Sequence, residues 1–427
     1  MRFLLNQKRI RSALRPALVA LLLAAGGSPA RAATTYYFAA TGADASDCLS
    51  PAAPCRSLER LNSLPQLAGT SFLLRRGDRF PGEILVQGSG SQGAPVTFAA
   101  YGEGLPPVID GGLPVSAWTL ARQGVSAWIY SADVPPEANG QPFALILDNR
   151  VLPLARFPDS GYLKVASGDS VSLMLDPAAY AGHLADLAGA EMFIRSQRRI
   201  LSARTVRSFD PASGRLEWDS PLPKAPVTGS GVFFSDAGTE LDRPGEWYCH
   251  PSRSRLPADG RRLRLALAPE DAPAAHSIRI ANAGYGIKAS GLSHVRIFGL
   301  AFEAQVSAAI YLYDCAHVEV TDCRIRNAVL NGIDFSGSGL LATGNVIEGA
   351  ALTGISARPD PDSNPMQAAE TGSRLAGNRI FRIGLLSRLG RPGPDEDGEM
   401  GIGIRALGEG DVIAENRIDS TAGDGIR

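Results

Sequence analysis

The chain has 427 residues, with 42 basic and 43 acidic side chains. That length allows two or three ordinary domains, and the balanced charge excludes the broad basic face of a nucleic-acid binder. With 47 Gly and 30 Pro, the composition reads as turn-rich, β-rich and soluble.

Residues 1–32 stand apart. Arg2, Lys8, Arg9, Arg11 and Arg15 make a basic start, Ala17 to Ala25 is a short apolar core, and Ala30-Arg31-Ala32 offers a small-x-small cleavage pattern. This is the pattern of a signal peptide cut after Ala32, with a core too short to span a membrane. No adjacent Arg pair precedes that core, so the Sec route is expected rather than Tat. Cleavage leaves 36 basic against 43 acidic residues, −7 overall. The expected product is a mildly acidic monomer, secreted or periplasmic, with no membrane span and no nucleic-acid partner. Secretion permits disulfides. Cys48 and Cys55 bracket Leu-Ser-Pro-Ala-Ala-Pro and are the expected pair, stabilising by about 2–3 kcal/mol in so short a loop. Cys315 and Cys323 read as small buried apolar residues. There is no Cys-x-x-Cys pair and the five His are scattered, so no metal site is expected from them.

Residues 33–115 open with a strand, Thr35 to Ala40, and a Gly-rich turn. A short helix is expected near residues 55–64, where Ser57-Leu58-Glu59-Arg60-Leu61-Asn62 has helical spacing; it would cover the open end of a solenoid. Phe72, Ile84, Val96 and Val108 follow at intervals of twelve, each in a short strand pattern, so two steps predict a coil of 24 residues. Across residues 116–279 the repeat vanishes, and all four Trp lie here. Ala144 to Leu154, turning at Asp148-Asn149-Arg150, reads as a hairpin, and Arg199 to Val206 with Arg215 to Trp218, joined by Asp210 to Gly214, as another. An inserted antiparallel β-sandwich-like domain is expected.

Residues 280–427 repeat. Asn345-Val346-Ile347, Asn378-Arg379-Ile380 and Asn416-Arg417-Ile418 are copies, and Gly332-Ile333, Gly354-Ile355 and Gly425-Ile426 recur ten residues after positions of that kind. Ile310, Ile333 and Ile355 are 23 and 22 apart. A period in this range means stacked supersecondary units. Each period holds short runs alternating apolar and polar, which means strands, and no ten-residue amphipathic helix fits inside. The fold class is therefore all-β: a solenoid of short parallel strands, one coil per period, with Asn345, Asn378 and Asn416 in an internal ladder whose amides must be satisfied. The sequence stops inside a repeat at Asp424-Gly425-Ile426-Arg427 with no cap after it. The natural protein is expected to continue past Arg427, where further catalytic residues would lie.

Tyr36-Tyr37-Phe38, Arg75 to Phe80 and Ala94 to Gly102 resemble the N-terminal part of secreted right-handed parallel β-helix proteins. That group includes pectate and alginate lyases, mannuronan epimerases and several glycoside hydrolases. Leu241-Asp242-Arg243-Pro244-Gly245-Glu246-Trp247-Tyr248 resembles the inserted sandwich of β-helix glycoside hydrolases. The resemblance implies a right-handed, pectate-lyase-like β-helix and carbohydrate chemistry. It supplies no catalytic motif that aligns residue by residue.

Strand alternation predicts where chemistry sits. If Ile310, Ile333, Ile355 and Ile404 point inward, then Tyr311, Asp334, Ser356, Arg405 and Arg427 form one outward column, and Tyr313, Ser336 and Arg358 a second. Spacing anomalies place extra residues in loops 358–372 and 385–400, which would wall that face. Asp334 is the first candidate for a chemical carboxylate, with Glu396 and Glu399 as partners. Arg358 and Arg405 would hold anions or hydroxyls, Ser356 would contact substrate, and Tyr311 and Tyr313 would stack on sugar. The expected function is hydrolysis of a glycosidic bond in a polysaccharide or oligosaccharide by a carboxylate pair. One alternative is a lyase or epimerase acting on uronates with Ca²⁺ held by the acidic loops. The other is a non-catalytic, adhesin-like glycan-binding surface.

Overall fold

A computed structural model of the chain describes residues 33–138, 144–181, 183–184, 187–197, 200–235, 241–250, 262–359, 372–385 and 401–427. The predicted signal peptide, residues 1–32, lies outside the described residues.

Parallel strands stack in three columns. One runs through Ile84–Leu85, Tyr285–Ser290, the first half of Ala308–Thr321, the first half of Asn331–Thr343, Thr353–Arg358 and Ile402–Ala406. The second runs from Thr35–Phe38 through Ser71–Arg75, Val96–Tyr101, Ser293–Phe298 and the second halves of the two long strands to Arg374–Ala376 and Val412–Ala414. The third runs from Arg79–Pro81 to Arg417–Thr421. The predicted register holds: Ile310, Ile333, Ile355 and Ile404 lie opposite one another and are fully buried. In the first coils the inward stripe is aromatic, with Phe72 stacked on Tyr36 and on Phe98 at centroid distances of 5.5 and 5.2 Å. The twelve-residue spacing is only partly a coil repeat. Phe72 lies opposite Phe98, and at the last position Ile109 is buried in place of half-buried Val108. A slip of one residue exchanges inward for outward, so a count without register misplaces that strand.

The repeat motifs have separate physical causes. Gly344 and Gly377 sit at φ +66° and +64°, the left-handed conformation that costs Gly nothing, and they turn the chain into the third column. The next residue carries the ladder. Asn345 Nδ2 donates to Val320 O and Asn378 Oδ1, Asn378 Nδ2 donates to Ala342 O and Asn416 Oδ1, and Asn416 Nδ2 donates to Leu375 O. Each Asn Oδ1 also accepts the backbone N–H of the ladder residue one coil before, beginning with Cys323. The Gly before each inward Ile is a packing requirement instead. A Cβ on Gly332, Gly354 or Gly403 would lie 2.5–2.6 Å from the carbonyl oxygen of the coil below, against a third-column Ile methyl.

Cys48 and Cys55 form a disulfide, Cα atoms 5.0 Å apart, while Cys315 and Cys323 are buried free thiols. The described helix is Leu58–Ser63; Ser57 caps it by accepting from Arg60 N, and Leu58 and Leu61 enter the solenoid core. No helix among the described residues is long and apolar enough to cross a membrane.

The chain leaves the solenoid after Asp110 and rejoins it at Tyr285. Asp110 pairs in register with Glu303, and Ile84–Leu85 pairs with Tyr285–Ser290, so the coils on either side of the departure are neighbours. Between them the strand pairs are antiparallel, in sheets of four, seven and four strands. Met192, Leu216 and Phe234 centre one core, and Trp247, Leu263 and Leu265 another. The hairpin Leu145–Leu147 to Arg150–Val151 turns through Asp148 and Asn149, both at positive φ, the turn that suits strand twist. It is tied down on two sides: Asn149 O accepts from Asn327 Nδ2, and Asp148 Oδ2 meets His276 Nδ1 at 2.6 Å.

Candidate functional site

The predicted outward column is present on the first face. Tyr311 lies opposite Asp334, Asp334 opposite Ser356, and Ser356 opposite Arg405. It extends one coil further back, where Lys288 lies opposite Tyr311. Adjacent strands lie about 4.8 Å apart, so the five positions span roughly four times that.

Asp334 is the centre. A rigid strand carries it, and its side chain is 14% exposed. Arg358 Nη2 donates to Oδ1 at 2.7 Å, and Asn331 Nδ2 donates to Oδ2 at 3.1 Å. Both neighbours are donors, and the Asp334 carboxylate accepts through both of its oxygens. Beside it Tyr311 packs against Tyr285, ring centroids 4.7 Å apart, and runs parallel to half-exposed Tyr313 at 6.5 Å. Lys288 Nζ lies 5.2 Å from the centre of the Tyr285 ring. Burial pushes the Tyr311 hydroxyl above its ordinary value, with Tyr285 and Asp334 adding to the effect.

Three polar atoms in this cluster have no hydrogen-bond partner among the described residues although they are buried: Asn331 Oδ1, Ser336 Oγ and Arg358 Nε. Such atoms are rare in folded proteins and call for a ligand, water or a neighbouring segment. Ser356 and Ser336 point outward by alternation yet are 5% and 4% exposed, so neither presents an open hydroxyl. Tyr313 pairs with Ser290 on the preceding coil, but on the following coil the register shifts between Leu312 and Cys315, so Tyr313 has no pairing with Ser336. Arg405 is exposed one coil beyond Ser356. Glu396, Glu399 and most of loops 358–372 and 385–400 lie outside the described residues.

Sequence reading missed Lys288, Tyr285 and Asn331. Gly286-Ile287 is a copy of the Gly-Ile signal, so carrying the column back one coil would have found Lys288. Asn331 had no such signal, since its role depends on which way its amide turns.

A second acidic group belongs to the antiparallel region. Carboxylate oxygens of Asp159, Asp242 and Glu246 lie within 4.8 Å of one another, the one group of metal-ligand type and spacing among the described residues. Oxygen donors of this kind suit a hard cation. Arg243 already binds Asp159 at 2.6 Å, however, and burial, assisted by the two Asp charges, pushes Glu246 up to about 7, so that near neutral pH its charge is partly neutralised by a proton. The group therefore has a protein account without an ion.

Residues 275–364 match a family model described as right handed beta helix region. Among solved structures the chain is similar to one described as "Glycoside hydrolase", with 17% identity and TM-score 0.68, covering 92% of this chain and 79% of that one. It is also similar to "The complex structure of XylC with xylose", with 13% identity and TM-score 0.51, covering 92% of this chain and 60% of that one. Comparison with the curated proteins finds no match. At such identities the likeness concerns the fold, and with the three stacked strand columns it establishes this chain as a parallel β-helix of the architecture seen in those two structures.

Proposed function

We propose that the protein acts on carbohydrate at the first face of the β-helix, hydrolysing a glycosidic bond with Asp334 as base or nucleophile. The observation that carries this is the cluster around Asp334. A carboxylate held by two donors lies beside three buried, unpartnered polar atoms and a tyrosine platform. A pyranose presents to such a surface an apolar C–H face for the rings and hydroxyls for the polar atoms. The fold likeness to chains described as a glycoside hydrolase and as XylC with xylose supports the substrate class. The second carboxylate, acting as acid, is Glu396 or Glu399. Arg358 both steadies Asp334 and, with Arg405 and Lys288, offers donors to substrate oxygens. We infer also that the helix Leu58–Ser63 caps the solenoid, that the antiparallel region is an inserted sandwich, and that residues 1–32 direct secretion.

The test is turnover and melting temperature of Asp334→Asn on a panel of neutral and uronate polysaccharides, with and without chelator. Asn keeps the shape but cannot act as base or nucleophile, so turnover should fall by about 10³-fold or more with a melting temperature within about 2 °C of the wild type. Wild-type turnover in the variant would remove Asp334 from the chemistry. Loss of activity only in step with loss of folding would make its role structural. Chelator-sensitive cleavage confined to uronates would favour the lyase reading, and glycan binding without turnover the adhesin-like one.

A further inference from the structure

We propose a second ligand site, away from Asp334, that binds the acid group of an anionic saccharide. It is the cleft of about 340 Å³ between the Asp148–Arg150 hairpin of the antiparallel region and three successive coil corners, and junctions of this kind are where small ligands most often bind. Its rim is cationic. Arg326 and Arg382 project from strands on two coils, and Arg150 comes from the hairpin opposite. The carboxylates of the cleft leave a positive excess. Glu348 is shared between Arg326 at 3.4 Å and Arg382 at 3.2 Å, so one negative charge serves two guanidinium groups. Asp148 is engaged by His276 Nδ1 at 2.6 Å and Ser277 N at 2.9 Å. No ion pair joins Arg150, which is exposed, to a described residue.

The floor differs from the rim. Ala350, Ala351 and Val151 line it, the two Ala nearly fully buried and Val151 half-buried. Planar guanidinium groups bind carboxylate and sulfate through paired N–H donors, which point charges such as ammonium do not match. The corner is also built to hold its shape. Arg382 and Asn327 both have positive φ, at 60° and 57°, and Asn327 Nδ2 donates to Asn149 O at 2.8 Å, locking the hairpin wall to the coil wall. The acid-group preference follows from the arginines alone, whereas the saccharide preference rests on the carbohydrate reading of the protein.

Calorimetric titration of the full chain at low salt with glucuronate, galactose and sodium sulfate tests this, because it reads binding rather than turnover. Glucuronate should bind saturably, with galactose silent. Arg150→Gln and Arg382→Gln should each weaken glucuronate about tenfold, as expected for loss of one charge-assisted contact. Arg296→Gln, on another face, should leave it unchanged. Arg150 is an exposed turn residue, so its variant should keep the wild-type melting temperature and remains informative if Arg382→Gln does not fold. Sulfate binding without glucuronate binding, equal binding of galactose, or undiminished affinity in Arg150→Gln would each overturn the proposal.

Discussion

Glu246 shows how far one buried side chain can set the pH response of the whole protein. It is 6% exposed, and burial with Asp159 and Asp242 nearby pushes its carboxyl up to about 7 from an ordinary 4.5. The folded state therefore holds a proton that the unfolded chain releases between those two values. Where the folded state binds the extra proton, stability falls as pH rises. Stability should thus drop between pH 4.5 and about 7 by up to roughly 3 kcal/mol from this group, then level off. Glu246→Gln keeps the neutral shape without the proton, so its urea-unfolding free energy should be flatter over that range and should exceed wild type at pH 8. A parallel pH profile in the two proteins would show that Glu246 does not titrate in this window. The neighbours of Asp334 are donors rather than carboxylates, Arg358 on one oxygen and Asn331 on the other.

A coil is held less by its strands' propensities than by what passes between coils. Asn378 illustrates this. It accepts both the backbone N–H and the amide of Asn345, and it donates to Ala342 O and Asn416 Oδ1. Asn378→Ala would leave the Asn345 donors buried without an acceptor, and each such group costs about 1–3 kcal/mol. We expect a loss of about 2–3 kcal/mol, read from denaturant midpoints at unchanged slope, with Asp334 chemistry retained at temperatures where the chain stays folded. Asn378→Asp would set a buried carboxylate oxygen against Ala342 O and Asn416 Oδ1, both acceptors, and should lose more than Asn378→Ala. The glycines before the inward Ile obey a different constraint, and Gly354→Ala should destabilise through backbone overlap with Gly403 O.

At the scale of the whole molecule, the question is what joins the antiparallel region to the β-helix. Arg279, itself in that region, donates through Nη1 to both oxygens of Asp110 at 2.7 Å, and through Nη2 to Asn149 Oδ1 at 3.0 Å and Glu303 Oε2 at 3.4 Å. Arg79 completes the network on Glu303. Asp110 and Arg279 are 6% and 8% exposed. Removing the cation would leave buried Asp110 with only Arg79, 3.5 Å away, and the Gly112 N–H, so the loss should lie at the lower end of the roughly 3–5 kcal/mol that breaking a buried pair costs. Arg279→Met should lower stability by that order and split thermal unfolding into two transitions, followed by calorimetry. A single transition at the wild-type temperature would show that the network does not couple the two parts. The same junction holds the Arg150 wall of the second cleft, so loosening it should also weaken glucuronate there.

The solenoid, the inward Ile stripe, the Asn ladder and the column through Tyr311, Asp334, Ser356 and Arg405 are all legible in the order of residues along the chain. Each of these is a periodic property: side chains alternate between faces, so a repeated residue type reports its face and its coil without knowledge of any partner. That Arg358 and Asn331 grip Asp334, that outward Ser356 and Ser336 are nonetheless covered, and that Arg279 meets Asp110 across 169 residues emerges from the folded chain alone. So does the placement of Arg150 facing the coil corners at 326 and 382. None of these has a period. A polar contact depends on side-chain torsions, on a bulge such as the one after Leu312, and on how an aperiodic hairpin seats against the coils. Those are set by packing among segments far apart in the chain, where spacing along the sequence carries no information.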